Sequence, residues 1–248
     1  MDAKKIIRDA VTHVEQLRLA AAGKPELSQA VSKIKTFQAS RFNGTYFDLL
    51  RTTQYKPATL FFLEELYSEK DYSDRDAQFS RIAGTLERLF PKQVVQTAVA
   101  LAQLHSLTEE LDLAMAQQWL LTPDPQPISR YVTTWKTVGR RADRVAQLKG
   151  ALSVGQELVV LTHTPGLRMA LKMMRRPAKL AGMAALQHFL ELGFDTFAAM
   201  GNKSAKSQSE GTDYFLSTIK KRESALIDLL FDAPATACEA EITPLLHS

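Results

Sequence analysis

RYVTTWKTVGRRADRVAQLK, residues 130–149, decides the fold class. At about 100° per residue, Tyr131, Trp135, Val138, Ala142 and Val145 share one arc of about 80°. Arg130, Arg140, Arg141 and Arg144 fall on the opposite side. That separation is the signature of an amphipathic helix, and it is the strongest in the chain.

Helical spacing continues in both directions. Upstream, residues 3–22 read as a helix stopped by Gly23 and Pro25, and residues 26–41 as a second ending near Asn43-Gly44. A short helix covers 45–51, and Pro57 suits the first position of a helix running through Tyr67. Ser73 and Asp76 have capping-box spacing, so another helix starts near Asp74 and carries Phe79, Ile82, Leu86 and Leu89. Pro91 ends it and opens a long pattern through Val95, Ala98, Leu101, Leu111, Met115 and Trp119. Ser106 and Glu109 repeat the capping spacing, which allows two helices joined near Ser106.

Downstream, TPDPQP (122–127) is a loop, 151–163 is a helix ended by Pro165-Gly166, and 167–176 is a short helix. Pro177 then begins another helix through Met200. NKSAKSQSEG (202–211) reads as a flexible loop and 212–231 as the last helix. The tail, 233–248, is either flexible or docks through Ile242, Leu245 and Leu246. About ten helices and no credible strand predict an all-α fold, a single globular multi-helix bundle over 1–232 followed by that tail.

Composition agrees. A chain of 248 residues, 45% hydrophobic, can bury a full core, while 11 Gly and 10 Pro are too few for a many-turned β protein. Cys238 is the one cysteine, so an internal disulfide is excluded and a reducing, cytoplasmic setting is expected. The first twenty residues are charged throughout, unlike a signal peptide, and no window approaches about 18 uninterrupted apolar residues, so no membrane partner is expected. The formal charge of +4 neither requires nor excludes nucleic acid.

LFFLEELY (60–67) raises a different question. Leu60, Phe62, Leu63, Leu66 and Tyr67 cover one wide face of a helix, with Glu64 and Glu65 on the other side and Phe61 between the glutamates. Either a second element covers that acidic face, or Phe61 is exposed as a partner anchor. FFLEELY and the following KDYSDRD resemble a signature of an uncharacterised family of proteobacterial proteins. The resemblance continues in RFNGTYFDLLRTTQYKPA (41–58), RRPAKLAG (175–182), LQHFLELGFDTF (186–197) and IKKRE (219–223). It implies one intact domain in a bacterial cytoplasm and transfers no catalytic residue.

Known chemistries find little footing. There is no Glu-x-x-His pair for a di-iron bundle, no H-E-x-x-H, no phosphate loop and no G-x-S-x-G. No metal site or cofactor is expected. His105 and His163, each on an apolar helical stretch, are the weak candidates for an axial haem contact. Charge is more informative. Residues 64–76 carry six carboxylates against Lys70 and Arg75, whereas Arg168, Lys172, Arg175 and Arg176 share an arc of about 100° on one short helix. Trp135 and Tyr131 lie opposite the neighbouring arginines, which argues against base stacking.

The expectation is therefore a non-enzymatic helical interaction or regulatory protein with an unidentified protein partner, and a homodimer is open. Its contact surface is expected at Phe61, Glu64 and Glu65, or at Arg168, Lys172, Arg175 and Arg176. One alternative is a helical protein holding a cofactor or small apolar ligand between helices, suggested by Met169, Met173, Met174, Met183 and Met200. The other is phosphate-backbone binding to nucleic acid through the basic faces.

Overall fold

The computed structural model describes residues 2–65, 73–89, 91–201 and 208–246. Among them are twelve α-helices and no strand. The helices are α1 (Ala3–Ala22), α2 (Pro25–Thr45), α3 (Phe47–Arg51), α4 (Lys56–Glu65), α5 (Ser73–Leu89) and α6 (Lys92–Leu121). They continue with α7 (Pro127–Val138), α8 (Arg141–Thr162), α9 (Leu167–Leu180), α10 (Ala184–Gly201), α11 (Gln208–Asp232) and α12 (Ala235–Ile242). A 3-10 turn, Thr243–Leu246, closes the described chain. Among the described residues no helix is long and apolar enough to cross a membrane.

The all-α expectation holds, and four local readings change. The Ser106 spacing does not divide the long pattern: α6 is one helix of 30 residues. It packs against α1, α2 and α8, and residues from Val94 to Trp119 are buried along it. Packing on several sides outweighs a capping signal in the middle of a helix. Conversely, the 130–149 pattern is two helices. Gly139 has φ +66° and ψ −120°, and Arg140 follows with φ +58°. Glycine tolerates that geometry, and Arg140 is held in it by Glu110 (2.7 Å) and Asp143 (2.6 Å).

Pro177 lies inside α9, in its last turn, where only one backbone bond is lost. Gly182, at φ +70°, makes the turn into α10 instead. The stretch expected as a tail is helical to Leu246. Cys238 and Ile242 are buried, Leu246 packs on the same cluster, and a Cβ at Gly44 would overlap the Leu245 carbonyl. Gly44 therefore lets the last turn lie directly on α2. The 202–207 loop and the Ile82, Leu86 and Leu89 side chains fall outside the described residues.

Two apolar cores result. One gathers the phenylalanines Phe61, Phe62, Phe189, Phe197 and Phe215 with the first half of α6 and most of α8. The other holds Ile34, Trp119, Tyr131, Trp135, Leu230 and Ile242. The long helices pass from one core to the other across polar residues. In α2, Leu27 to Ile34 serve the second core and Phe42 the first, with Gln38 and Arg41 between. In α6 the change falls at Thr108, Glu109 and Asp112, and in α11 Glu223 lies between Ile219 and Ile227 of the first core, ahead of Leu230 in the second. A buried polar layer separates the two cores.

Candidate functional site

The basic residues of α9 stand where the sequence placed them. Leu167, Leu171 and Ala178 are buried against the body, with Met174 packed beside them. The opposite face is open. Met169 is 65% exposed, Met173 73% and Leu180 90%. With Arg176 they fall within an arc of about 60°, and Arg168, Lys172 and Lys179 form the adjoining row. Single exposed apolar residues are ordinary, but three in one line on one helix are not.

Two of the cations tie α9 to α10. Arg168 pairs with Asp195 at 3.0 Å and Arg175 with Glu191 at 2.7 Å. The Arg175 guanidinium holds the Glu191 carboxyl below its ordinary range. Among the described residues Lys172, Arg176 and Lys179 form no ion pair, and all three are exposed.

In the alternative surface, Phe61, Glu64 and Glu65, one residue is corrected. Phe61 is 2% exposed, so it is a core residue and not a partner anchor. Its ring lies 5.1 Å from Phe189 and 6.4 Å from Phe197, both on α10. α10 is the element that covers Phe61. Glu64 remains exposed and Glu65 half-buried, and residues 66–72 of the acidic stretch lie outside the described ones. Asp76 is buried, meeting Arg18 at 2.9 Å and His105 at 3.0 Å.

The arginines of 140–144 also part company. Arg141 is half-exposed on Asp228 and Asp232, but Arg144 is 3% exposed, with its guanidinium 4.1 Å from the Trp135 ring. The break at Gly139 resets the helical phase, so a single wheel through 130–149 misplaced it.

Arg144 belongs to the polar layer. Its Nη1 donates to Gln147 Oε1 (3.2 Å), and Gln147 Nε2 donates to Thr108 (2.9 Å). Arg41 Nη1 and the Tyr46 hydroxyl both donate to Glu223 Oε1, at 2.7 and 2.8 Å. Lys35 meets Glu109 at 2.6 Å, and Gln38 Nε2 donates to Asp112 at 3.0 Å. Burial pushes the Asp112 carboxyl up to about 6, against Lys35 and Arg144 nearby. Burial also raises the Tyr131 hydroxyl to about 12.

Arg41, Asp112 and Glu223 were missed in the sequence, although a signal exists. Leu27, Ala30, Ile34, Gln38 and Arg41 follow one another at spacings of three and four, so the last two occupy core register. Glu223 stands likewise between Ile219 and Ile227. Polar residues in apolar register mark a buried network, whereas the sequence reading tested only exposed charge.

His105 and His163 are both hydrogen-bonded within the fold. His105 bridges α5 and α6 through Asp76, and Arg18 Nη2 lies 3.3 Å from its Nε2. His163 Nδ1 donates to the Val159 carbonyl (2.8 Å) beyond the end of α8. Among the described residues no three His, Cys, Asp or Glu side chains gather in a way that could hold a metal ion. An open groove of about 620 Å³ runs along α2, lined by Phe37, Trp119, Pro125, Arg130 and Leu246.

No curated protein and no solved structure matches the chain. A family model does: a domain of unknown function, DUF8198, matches residues 17–237. That span takes in the polar layer, the groove-lining part of α2 and the whole of α9. The chain belongs to the DUF8198 family.

Proposed function

We propose that this protein is a non-enzymatic interaction protein whose α9 docks an acidic amphipathic helix of a protein partner. The observation that carries the reading is the exposed line Met169, Met173 and Leu180 set against Lys172, Arg176 and Lys179. Methionine and leucine offer adaptable apolar contact, and cations that form no ion pair among the described residues select a carboxylate-bearing surface. The absence of an aromatic residue on α9 disfavours a nucleic-acid strand, which gains affinity by stacking.

The test uses a fluorescent peptide helix with leucines on one face and glutamates flanking them. The full-length protein should bind it at low salt, and binding should weaken as salt rises. Met173→Glu combined with Lys172→Glu should weaken it at least about tenfold while leaving the melting temperature unchanged, because both side chains are exposed. Failure to bind the peptide, or binding that the double variant leaves intact, overturns the reading. So does preferential binding to phosphatidylserine vesicles or duplex DNA, lost in the same variant.

A second reading rests on the groove along α2. Its size suits a small ligand, with Phe37 and Trp119 as apolar wall and Lys33, Asp124 and Arg130 as polar points.

A further inference from the structure

The polar layer lines a cavity of about 30 Å³. Every residue of its wall is buried, among them Gln38, Arg41, Trp135, Arg144, Gln147 and Glu223. Three buried donors of these side chains have no acceptor: Arg41 Nε, Trp135 Nε1 and Arg144 Nη2. They come from three elements, α2, α7 and α8. A buried donor left unpaired is costly, and more so when charged, so three around one small cavity call for an occupant.

The chemistry of the wall specifies that occupant. Glu223 Oε1 already accepts from Arg41 and Tyr46, and Gln147 Oε1 accepts from Arg144. The unused capacity named above is all donor. Arg41 is paired with Glu223, but Arg144 forms no ion pair among the described residues and only faces Asp112 from a distance, so the wall itself carries two cations against one carboxylate. A group that only accepts, and brings one negative charge, fits both the hydrogen bonds and the charge. Size sets the limit. One water needs roughly 10–15 Å³ of such space, so about 30 Å³ holds the volume of two or three waters, enough for a halide or a planar oxyanion and too little for a phosphate ester.

We infer that this cavity is a site for a small monovalent anion, a halide or a planar oxyanion of nitrate size, bound between Arg41, Trp135 and Arg144. The anion joins α2, α7 and α8 at the level where the two apolar cores meet. Asp112 lies in the same layer, hydrogen-bonded to Gln38 and facing Lys35 of α2, Arg144 of α8, Tyr131 of α7 and Glu109 of its own helix. When its carboxyl takes a proton, the positive surplus grows, so the anion binds more tightly as the pH falls through about 6.

Crystals of the full chain grown in bromide supply the direct test. An anomalous peak within hydrogen-bonding distance of Arg41 Nε, Trp135 Nε1 and Arg144 Nη2 is expected. Density that refines as water, with no anomalous signal, overturns the inference. In solution, melting temperatures are compared in bromide, nitrate and gluconate at equal ionic strength. The native chain should be stabilised saturably by bromide or nitrate relative to gluconate. Trp135→Phe, which removes one donor and keeps an aromatic ring, should shift half-saturation upward roughly tenfold or more. Arg144→Met should abolish the effect. If the Arg144→Met protein does not fold, the Trp135→Phe comparison decides alone. An identical salt response in native and Trp135→Phe chains overturns the site.

Discussion

Phe61 shows how far a single residue can be read without its neighbours. Its place between Glu64 and Glu65 was visible, but the choice between a covered and an exposed face depended on α10, which begins more than a hundred residues later. With Phe189 and Phe197 around it, Phe61→Ala should cost about 3–5 kcal/mol of stability. The measurement is the urea midpoint, and a near-neutral result would place Phe61 outside the core. Asp112 gives the pH counterpart. Its carboxyl titrates near 6 in the folded chain against an ordinary 3.8. Between those values the folded state holds the extra proton, so this group's contribution to stability falls as the pH rises from about 4 to about 6 and stays low above. Asp112→Asn keeps an acceptor for Gln38 and removes the titration. Its stability advantage over the parent should therefore grow through that window, reaching about 3 kcal/mol, and then level off. A difference that does not change with pH would show that Asp112 titrates normally.

At the scale of elements, periodicity was a good guide to which segments are helical and a poor one to where helices break. Gly139 and Arg140 look like any pair in an amphipathic run, yet they separate α7 from α8 and reverse the fate of Arg144. The reason is conformational: one glycine at positive φ costs little, and the arginine after it is secured by Glu110 and Asp143. Nothing lies within 4 Å of a Cβ placed on Gly139, so replacing it tests the backbone alone. Gly139→Ala should destabilise by about 1–3 kcal/mol, read as a lower melting temperature with unchanged helix content. A neutral outcome would mean that the break is imposed elsewhere. On α9, by contrast, the arc of basic residues was legible, because a short helix with one packed face leaves little for distant elements to decide. The exposed methionines on the same face were legible as residues but not as surface.

The whole molecule was legible as an all-α fold and not as two cores. Hydrophobic spacing says which face of a helix is buried, but not which partner it meets, so the passage of α2, α6 and α11 from one core to the other was hidden. The clue lay in Gln38, Arg41 and Glu223 occupying apolar register. The two expected surfaces differ for a related reason: the arc of charge on α9 needs no long-range information, while the burial of Phe61 depended on α10.

The layer between the cores also has an evolutionary consequence. Apolar residues within either core can drift one at a time, since volumes near enough to the original are tolerated. Arg41 and Glu223 have no such freedom: losing one strands the other's charge away from water. Among relatives these two positions should change together or not at all, whereas the phenylalanines around Phe61 vary independently of Trp119 and Trp135. The family would then diverge quickly on either side of a slowly changing seam.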